Sequence, residues 1–135
     1  MENANFLRME AEAILNELNL VNLLKSFGDA RIVGSVVLDL IVKRDIDIHV
    51  LVQTSNLLSV VNSVYPLLLN FEKIHEVRIS DYREEGGIKI GIDVYPGTSD
   101  NWSIDIWITN KFETTAFEFM NYLQDQLTPE HRKII

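Results

Sequence analysis

Hydrophobic residues follow a helical spacing in three segments of the chain. Between residues 5 and 27 apolar side chains recur every three or four positions, as on the buried face of an amphipathic helix. A second helix is predicted after Ser55, its expected N-cap, and Pro66 should end or kink it. A third is predicted from Phe112 to Leu127. Its inward-facing residues are predicted to be Phe112, Ala116, Phe119, Met120 and Leu123.

Alternation of apolar and polar residues predicts β-strands in the rest of the chain. A short β-branched segment, residues 30–33, precedes a Gly34-Ser35 turn, and the apolar run 36–42 predicts a short buried helix. The last two strands are expected to form a hairpin that turns about Ser99. The alternating segments are Arg44–Val52, Glu76–Tyr82, Ile88–Tyr95 and Trp102–Thr109.

This order of elements predicts an α/β (α+β) protein with a mixed sheet of about five strands flanked by helices. The 135 residues suit one domain, residues 1–135, with a core at about 28–109 and flanking helices at 5–27 and 112–127. Apolar residues make up 47% of the chain, which is typical of a globular domain and excludes disorder of the whole chain.

The excess of acidic residues disfavours two classes of binding partner. Twenty acidic and twelve basic residues give a net charge of −8, which disfavours binding to nucleic acid or to anionic membranes.

The chain has no cysteine, so disulfides and thiolate chemistry are excluded. The acidic N-terminus does not resemble a signal peptide, and no sufficiently apolar run of about 20 residues is present. A cytoplasmic protein that does not cross a membrane is therefore expected.

Two short motifs carry the candidate chemistry. Gly34-Ser35 forms a small-residue turn before a predicted helix, where backbone N–H groups and a hydroxyl can bind phosphate. Nine residues later, Asp45 and Asp47 alternate along a strand, so both carboxylates lie on one face and can share divalent cations. Together the motifs predict a site for a metal ion and a nucleoside triphosphate.

This combination resembles the signature of the DNA polymerase β-type nucleotidyltransferase superfamily: Gly-(Gly/Ser), a spacer, then Asp-hydrophobic-(Asp/Glu)-hydrophobic. The resemblance implies the nucleotidyltransferase fold and Mg²⁺-dependent transfer of a nucleoside monophosphate from a nucleoside triphosphate to a hydroxyl group. It further implies that Gly34 and Ser35 bind the triphosphate, and that Asp45 and Asp47 are catalytic ligands of a two-metal Mg²⁺ site.

The resemblance also implies a third carboxylate on a later strand, for which Asp93 and Asp105 are candidates. Asp105 is favoured because isoleucines flank it, and an unpaired carboxylate in so apolar a strand is costly. Its implied role is to share a metal and to orient or deprotonate the acceptor. A hairpin about Ser99 would place Asp93 opposite Asp105, a conflict that a cation or a shifted register would relieve.

The acceptor is expected to be a small molecule or a protein, because the acidic chain disfavours nucleic acid. A homodimer or a helical partner protein is a further possibility, since many members of the superfamily add a helical domain. The alternative function is a non-catalytic module with the same fold, acting through a protein partner. It is motivated by the helix predicted after Ser35, which carries Asp39 and no basic residue before Lys43.

Several residues near the motifs have two interpretations each. His49 shares the face of Asp47, where it either contacts a ligand or serves a structural role, the commoner case for a lone histidine. Trp107 shares the face of Asp105 and either stacks on a base or packs against a neighbouring element. Lys43, Arg44 and Lys89 are either phosphate contacts or solvated surface residues, the second being the more common role.

Overall fold

A computed structural model describes residues 4–34 and 43–126. Ser35 and the predicted helix over residues 36–42 lie outside the described residues, as does the end of the predicted third helix, Leu127. In chain order, the elements are α1 (Ala4–Leu18), α2 (Leu20–Lys25), β1 (Asp29–Val33), β2 (Asp45–Leu51), α3 (Leu57–Leu69), β3 (Arg78–Tyr82), β4 (Gly87–Pro96), β5 (Asn101–Thr109) and α4 (Phe117–Gln126). Single turns of 3-10 helix cover Arg83–Glu85 and Phe112–Thr114.

The strands form one five-stranded mixed sheet in the order β1-β2-β5-β4-β3. Strand β2 is parallel to β5, and the other three pairings are antiparallel. Strand β5 therefore lies in the middle of the sheet, beside the strand that carries Asp45 and Asp47. The prediction of a mixed five-stranded sheet flanked by helices is confirmed.

One face of the sheet is apolar and forms the main core. Alternate residues of β2, β4 and β5 are fully buried, as the strand periodicity predicted, and they pack in one cluster with apolar residues of α1, α2 and α3. The opposite face carries the polar residues of the same strands, and α4 lies along its β1 side, where Phe117 and Met120 pack against Val33. No helix among the described residues is long and apolar enough to cross a membrane.

The helix predicted over residues 5–27 is interrupted at Asn19. Asn19 has a φ of 48°, in the left-handed region that asparagine tolerates better than most residues, and it separates α1 from α2. Leu18 and Leu20 are both buried on either side of the break. In an unbroken helix these two side chains would point about 200° apart, so the break lets both of them join the core.

The helix predicted after Ser55 begins one residue later and runs past the proline. Asn56, not Ser55, is the N-cap, since its side chain accepts a hydrogen bond from the backbone N–H of Ser59 at 3.2 Å. Pro66 lies within α3 without ending it, so of the two predicted effects, an end or a kink, the end is wrong. Pro66 is exposed, and the buried Val64 and Leu68 on either side keep the last turn packed on the sheet.

The inward face predicted for the last helix is wrong at two positions. Phe112 and Phe119 are 48% and 61% exposed, whereas Phe117 is buried. The reason is that α4 begins only at Phe117, so the helical phase is set from there, with Met120 one turn further on the same face. Ala116 and Leu123 pack against this small cluster as predicted.

The hairpin of β4 and β5 is confirmed, but its register differs from the prediction. Gly91, not Asp93, is opposite Asp105. A β-bulge between Ile92 and Tyr95 shifts the pairing, which turns Tyr95 into the core and leaves Val94 exposed. The expected opposition of Asp93 and Asp105 is therefore wrong, and the shifted register relieves it.

Candidate functional site

Two carboxylates face each other on the polar side of the sheet. Asp47 in β2 is directly opposite Asp105 in β5, because these parallel strands pair Asp45 with Ser103, Asp47 with Asp105 and His49 with Trp107. Both aspartate side chains are half-buried. Of the two candidates for the third carboxylate, Asp105 is thus the one that lies beside Asp47.

Asp45 belongs to the same face but is held by a different partner. Its Oδ1 accepts a hydrogen bond from Ser103 Oγ at 2.8 Å, one position before Asp105 along that face of β5. The hydrogen bond fixes the Asp45 carboxylate beside the Asp47–Asp105 pair. The three predicted aspartates are therefore neighbours, although Asp45 is already satisfied by a hydroxyl.

The environment of Asp47 disfavours its charged form. Burial raises the pKa of Asp47 above its ordinary value of 3.8, and the negative charges of Asp105 and Asp45 raise it further. Lys89 opposes this shift by placing a positive charge nearby. A cation bound at this position would stabilise the ionised carboxylates.

Gly34 closes the site on the side of β1. Its φ is +79°, in the left-handed region, and a Cβ there would lie 3.1 Å from Asp47 Oδ2. A glycine therefore allows the turn after β1 to approach the carboxylate closely. The Gly34 N–H, an expected phosphate donor, is directed at Met120 Sδ of α4 at 3.4 Å, and a thioether sulfur is a weak acceptor.

A small cavity lies along the strands from the carboxylate pair. It has a volume of about 230 Å³. Lys89 of β4 is opposite Trp107, so the next row of the sheet on this face consists of Lys89, Trp107 and His49. The lining residues are Asp47, His49, Lys89, Asp105, Trp107 and Thr114. The sheet thus presents a row of carboxylates beside a row of two rings and an ammonium group.

His49 connects this cavity to the segment before α4. Its Nδ1 accepts a hydrogen bond from the backbone N–H of Ala116 at 3.1 Å, and burial lowers its pKa below the ordinary value of 6.5. The imidazole is therefore neutral at pH 7, and because Nδ1 is an acceptor its proton is on Nε2. The structural role expected for His49 is present, and the ring also lines the cavity.

Trp107 packs against its neighbours, as one of its two interpretations required. Its ring lies against Gly87, where a Cβ would be 2.5 Å from Trp107 Cζ2, and its centroid is 6.2 Å from that of Tyr82. The other edge of the indole lines the cavity. Packing holds the ring in place without removing it from the site.

Of the three basic residues singled out from the sequence, Lys43 is exposed, Arg44 lies away from the carboxylate pair, and Lys89 lies beside it. Arg44 does not face the carboxylate pair, because its Nε lies 3.5 Å from Glu10 Oε1. Lys89 does, with its Nζ 3.7 Å from Asp105 Oδ1. The commoner expectation for Lys89 was a solvated surface residue. Its position beside Asp105 could have been predicted from the alternation of β4, which places Lys89 on the face opposite the buried isoleucines.

Asp93 lies on the same face but is paired elsewhere. Arg78 Nη2 donates a hydrogen bond to Asp93 Oδ1 at 2.9 Å, and both side chains are about half exposed. Gly91 leaves room for one methyl group between this ion pair and Asp105, because a Cβ there would lie in ordinary contact with Asp105 Oδ1, Asp93 Oδ1 and Arg78 Nη2, at 3.5–3.7 Å. Asp93 therefore offers a matched control for substitutions of the carboxylate pair.

The carboxylate pair suits a metal–nucleotide better than a metal ion alone. Across residues 4–34 and 43–126, no group of three or more histidine or acidic side chains forms a metal-binding cluster. Mg²⁺ is commonly held by one or two carboxylates together with the phosphates of a substrate. Asp47 and Asp105 offer two such carboxylates, and a cation between them would reduce the mutual repulsion of their charges.

No protein-family model matches the chain, and no curated protein or solved structure matches it either. A function has to be inferred from the carboxylate pair and its surroundings.

Proposed function

We propose that this protein is a nucleotidyltransferase that transfers a nucleoside monophosphate from a Mg²⁺-bound nucleoside triphosphate to a hydroxyl group of a small molecule or a protein. The observation that carries the proposal is the in-register pair of Asp47 and Asp105, with Gly34 closing one side of it. A pair of half-buried carboxylates next to a glycine turn suits a metal-bound triphosphate in charge, because the metal ion would neutralise the carboxylates and the phosphates together.

The residues have distinct roles in this proposal. Asp47 and Asp105 would hold Mg²⁺, with Asp45 beside them, and Gly34 would offer its N–H to a phosphate oxygen. Bound Mg²⁺ supplies neutralisation of the phosphate charge. Asp105 also lines the cavity, so its carboxylate would accept a hydrogen bond from an acceptor hydroxyl bound there.

The first test is a calorimetric titration of the wild type with each nucleoside triphosphate in the presence of Mn²⁺ or Mg²⁺. Asp47→Asn and Asp105→Asn should each weaken binding at least tenfold, because a neutral amide replaces a metal-binding charge. Asp93→Asn removes a charge from the same face but outside the pair, and it should leave binding within about twofold.

The titration needs no knowledge of the acceptor. Release of pyrophosphate with candidate acceptors is measured afterwards, and it should disappear in Asp47→Asn and Asp105→Asn. Absence of nucleotide binding by the folded wild type at millimolar concentration contradicts the proposal. Equal loss in all three variants contradicts the assignment of the site, because it would indicate a general effect of surface charge.

A second candidate function is a non-catalytic module that acts through a protein partner. It is favoured by the aromatic patch of Phe112, Phe119 and Tyr122, which are 48%, 61% and 60% exposed and line one shallow depression with Glu113 and Glu118. Exposed aromatic residues with an acidic rim suit a partner segment that is apolar and basic. The proximity of Met120 to Gly34 also favours it, since α4 covers a predicted phosphate donor.

A helical peptide with apolar and basic residues on one face tests this candidate. In an NMR titration, shifts should be confined to the segment from Phe112 to Tyr122, and Phe119→Ser should abolish them. Binding that survives Phe119→Ser contradicts the assignment of the patch. Nucleotide binding lost in Asp47→Asn would favour the transferase instead.

A further inference from the structure

Lys89 lies on the polar face next to the carboxylate pair. It is near the start of β4, opposite Trp107, and its Nζ is 3.7 Å from Asp105 Oδ1. The side chains of Lys89 and Asp105 are 36% and 32% exposed, so the pair is shielded more than most surface ion pairs of this sheet. For comparison, the Arg78–Asp93 pair on the same face is 57% and 47% exposed.

The surroundings of Lys89 leave the ammonium group free to move. The nearest residues of β4 on the same face, Gly87 and Gly91, have no side chains. Trp107 fills the space above Gly87, and the space above Gly91 is bounded by Asp105, Asp93 and Arg78. The cavity that Lys89 lines is open to it, and a lysine side chain is long and flexible, so its Nζ can leave Asp105 toward the cavity without disturbing the strand.

The same carboxylate would be required by a bound metal ion. Asp105 Oδ1 cannot bind a divalent cation and the ammonium group of Lys89 strongly at the same time, because the two positive charges repel each other. A cation that binds between Asp47 and Asp105 therefore has to compete with Lys89. Lys89 also reduces the repulsion within the pair, since its ammonium group lies 3.7 Å from Asp105 Oδ1.

We propose that Lys89 is an exchangeable counter-ion: its ammonium group neutralises the Asp47–Asp105 pair in the metal-free protein and leaves Asp105 when a divalent cation binds. Lys89 is then a positioning residue that sets the metal affinity of the site. Once released, the ammonium group can contact an anionic group of the ligand in the adjoining cavity. The proposal rests on the proposed function in one respect, namely that the carboxylate pair binds a divalent cation.

The test is a calorimetric titration with Mn²⁺ alone. Lys89→Met should lower the dissociation constant for Mn²⁺ about tenfold, because the competing charge is gone. Lys89→Arg keeps the charge and should stay within about threefold of the wild type. Lys73→Met is the matched control: it removes a lysine that pairs with Glu17 at 2.7 Å in an exposed ion pair elsewhere, and it should not change Mn²⁺ affinity.

A double-mutant cycle with Asp105→Asn separates direct exchange from a general effect of charge. If Lys89 competes for Asp105, then Lys89→Met should improve Mn²⁺ binding in the wild type but not in the Asp105→Asn background. Thermal unfolding of the same four proteins supplies a second readout. The coupling between Lys89 and Asp105 should be present without metal and absent at saturating Mn²⁺.

The outcomes distinguish this inference from the proposed function. Equal Mn²⁺ affinity of wild type and Lys89→Met, both folded, overturns the inference and leaves the transferase proposal standing. A tenfold gain that persists in the Asp105→Asn background also overturns it, because the effect would then be long-range. Failure of every folded variant to bind Mn²⁺ alone overturns the inference, whereas the proposed function is decided separately by the nucleotide titration, because a carboxylate pair can hold a metal ion that also binds substrate phosphates.

Discussion

Glu10 is the buried acidic residue whose removal should cost the most stability. It lies in α1, is 8% exposed, and accepts hydrogen bonds from the hydroxyl and backbone N–H of Thr98 and from Trp102 Nε1. Arg44 Nε lies 3.5 Å from its Oε1. One carboxylate thus ties the first helix to the β4–β5 turn and to the residue that precedes Asp45.

We expect Glu10→Gln to lower the free energy of unfolding by about 2–4 kcal/mol at pH 7. The amide keeps one acceptor oxygen but replaces the other with a donor, so at least one buried donor loses its partner, at about 1–3 kcal/mol. The charge facing Arg44 is also lost, and removing one partner of a shielded ion pair is costly. For a chain of 135 residues this corresponds to a fall in Tm of about 10 °C.

The loss of stability caused by Glu10→Gln should become smaller as the pH falls. Burial raises the pKa of Glu10, but the hydrogen bonds from Thr98 and Trp102 outweigh it, so the pKa lies below its ordinary value of 4.5. A carboxyl group with a lowered pKa contributes stability above its unfolded-state pKa and loses that contribution as pH falls through its folded-state pKa. The difference between wild type and Glu10→Gln should therefore be full above about pH 5 and shrink below pH 4.

Thermal unfolding followed by circular dichroism, from about pH 7 to pH 3, measures both quantities. Glu12→Gln is the matched control, because Glu12 lies in the same helix and makes an exposed ion pair with Arg8 at 3.4 Å. It should change stability by less than about 0.5 kcal/mol. A Tm of Glu10→Gln equal to that of the wild type, or a difference that does not change with pH, refutes the reasoning.

Three further substitutions test the site itself. Gly34→Ala should lower stability by about 1–2 kcal/mol in urea unfolding, because its φ of +79° is strained for alanine, and it should weaken Mn²⁺ binding through the 3.1 Å approach to Asp47. Asp47→Asn should raise the metal-free stability by about 0.5–1 kcal/mol at pH 7. Because the pKa of Asp47 is raised, its charged form costs stability as pH rises, so this gain should vanish in thermal melts near pH 3; a gain that persists there contradicts the shift. Gly87→Ala should destabilise by about 1–3 kcal/mol and shift tryptophan fluorescence, since the new Cβ would lie 2.5 Å from Trp107 Cζ2.

Much of the sheet could be predicted because β2, β4 and β5 bury the apolar residues of one face. In β2 every second residue is buried, and the polar positions between them are Asp45, Asp47 and His49. Period-two alternation fixes which residues share a face whatever the strand pairs with. The sequence therefore predicted that these side chains lie together, and favoured Asp105, without any knowledge of the sheet order.

Features that depend on the exact strand register, or on the exact residue at which a helix begins, could not be predicted in the same way. The turn pairs Pro96 with Asn101, which shifts the register by one residue from a turn about Ser99, and the bulge between Ile92 and Tyr95 shifts it by one more, so that Gly91 replaces Asp93 opposite Asp105. No repeat in the sequence marks either shift. The start of α4 at Phe117 likewise decides that Phe119 is exposed. Periodicity gives the faces of an element, but its start and register depend on contacts between distant segments.

The composition of the candidate site follows from strand direction combined with register. Because β2 and β5 are parallel, the sequences Asp47-x-His49 and Asp105-x-Trp107 run side by side, so carboxylates adjoin carboxylates and rings adjoin rings. Strand β4 is antiparallel, and its register brings Lys89 next to the rings and Gly91 next to the carboxylates. A slip of β4 by one residue would bury Lys89 and expose the fully buried Ile90, which the core forbids. The packing of the apolar face thus determines which charges meet on the polar face, and it keeps Lys89 within reach of Asp105.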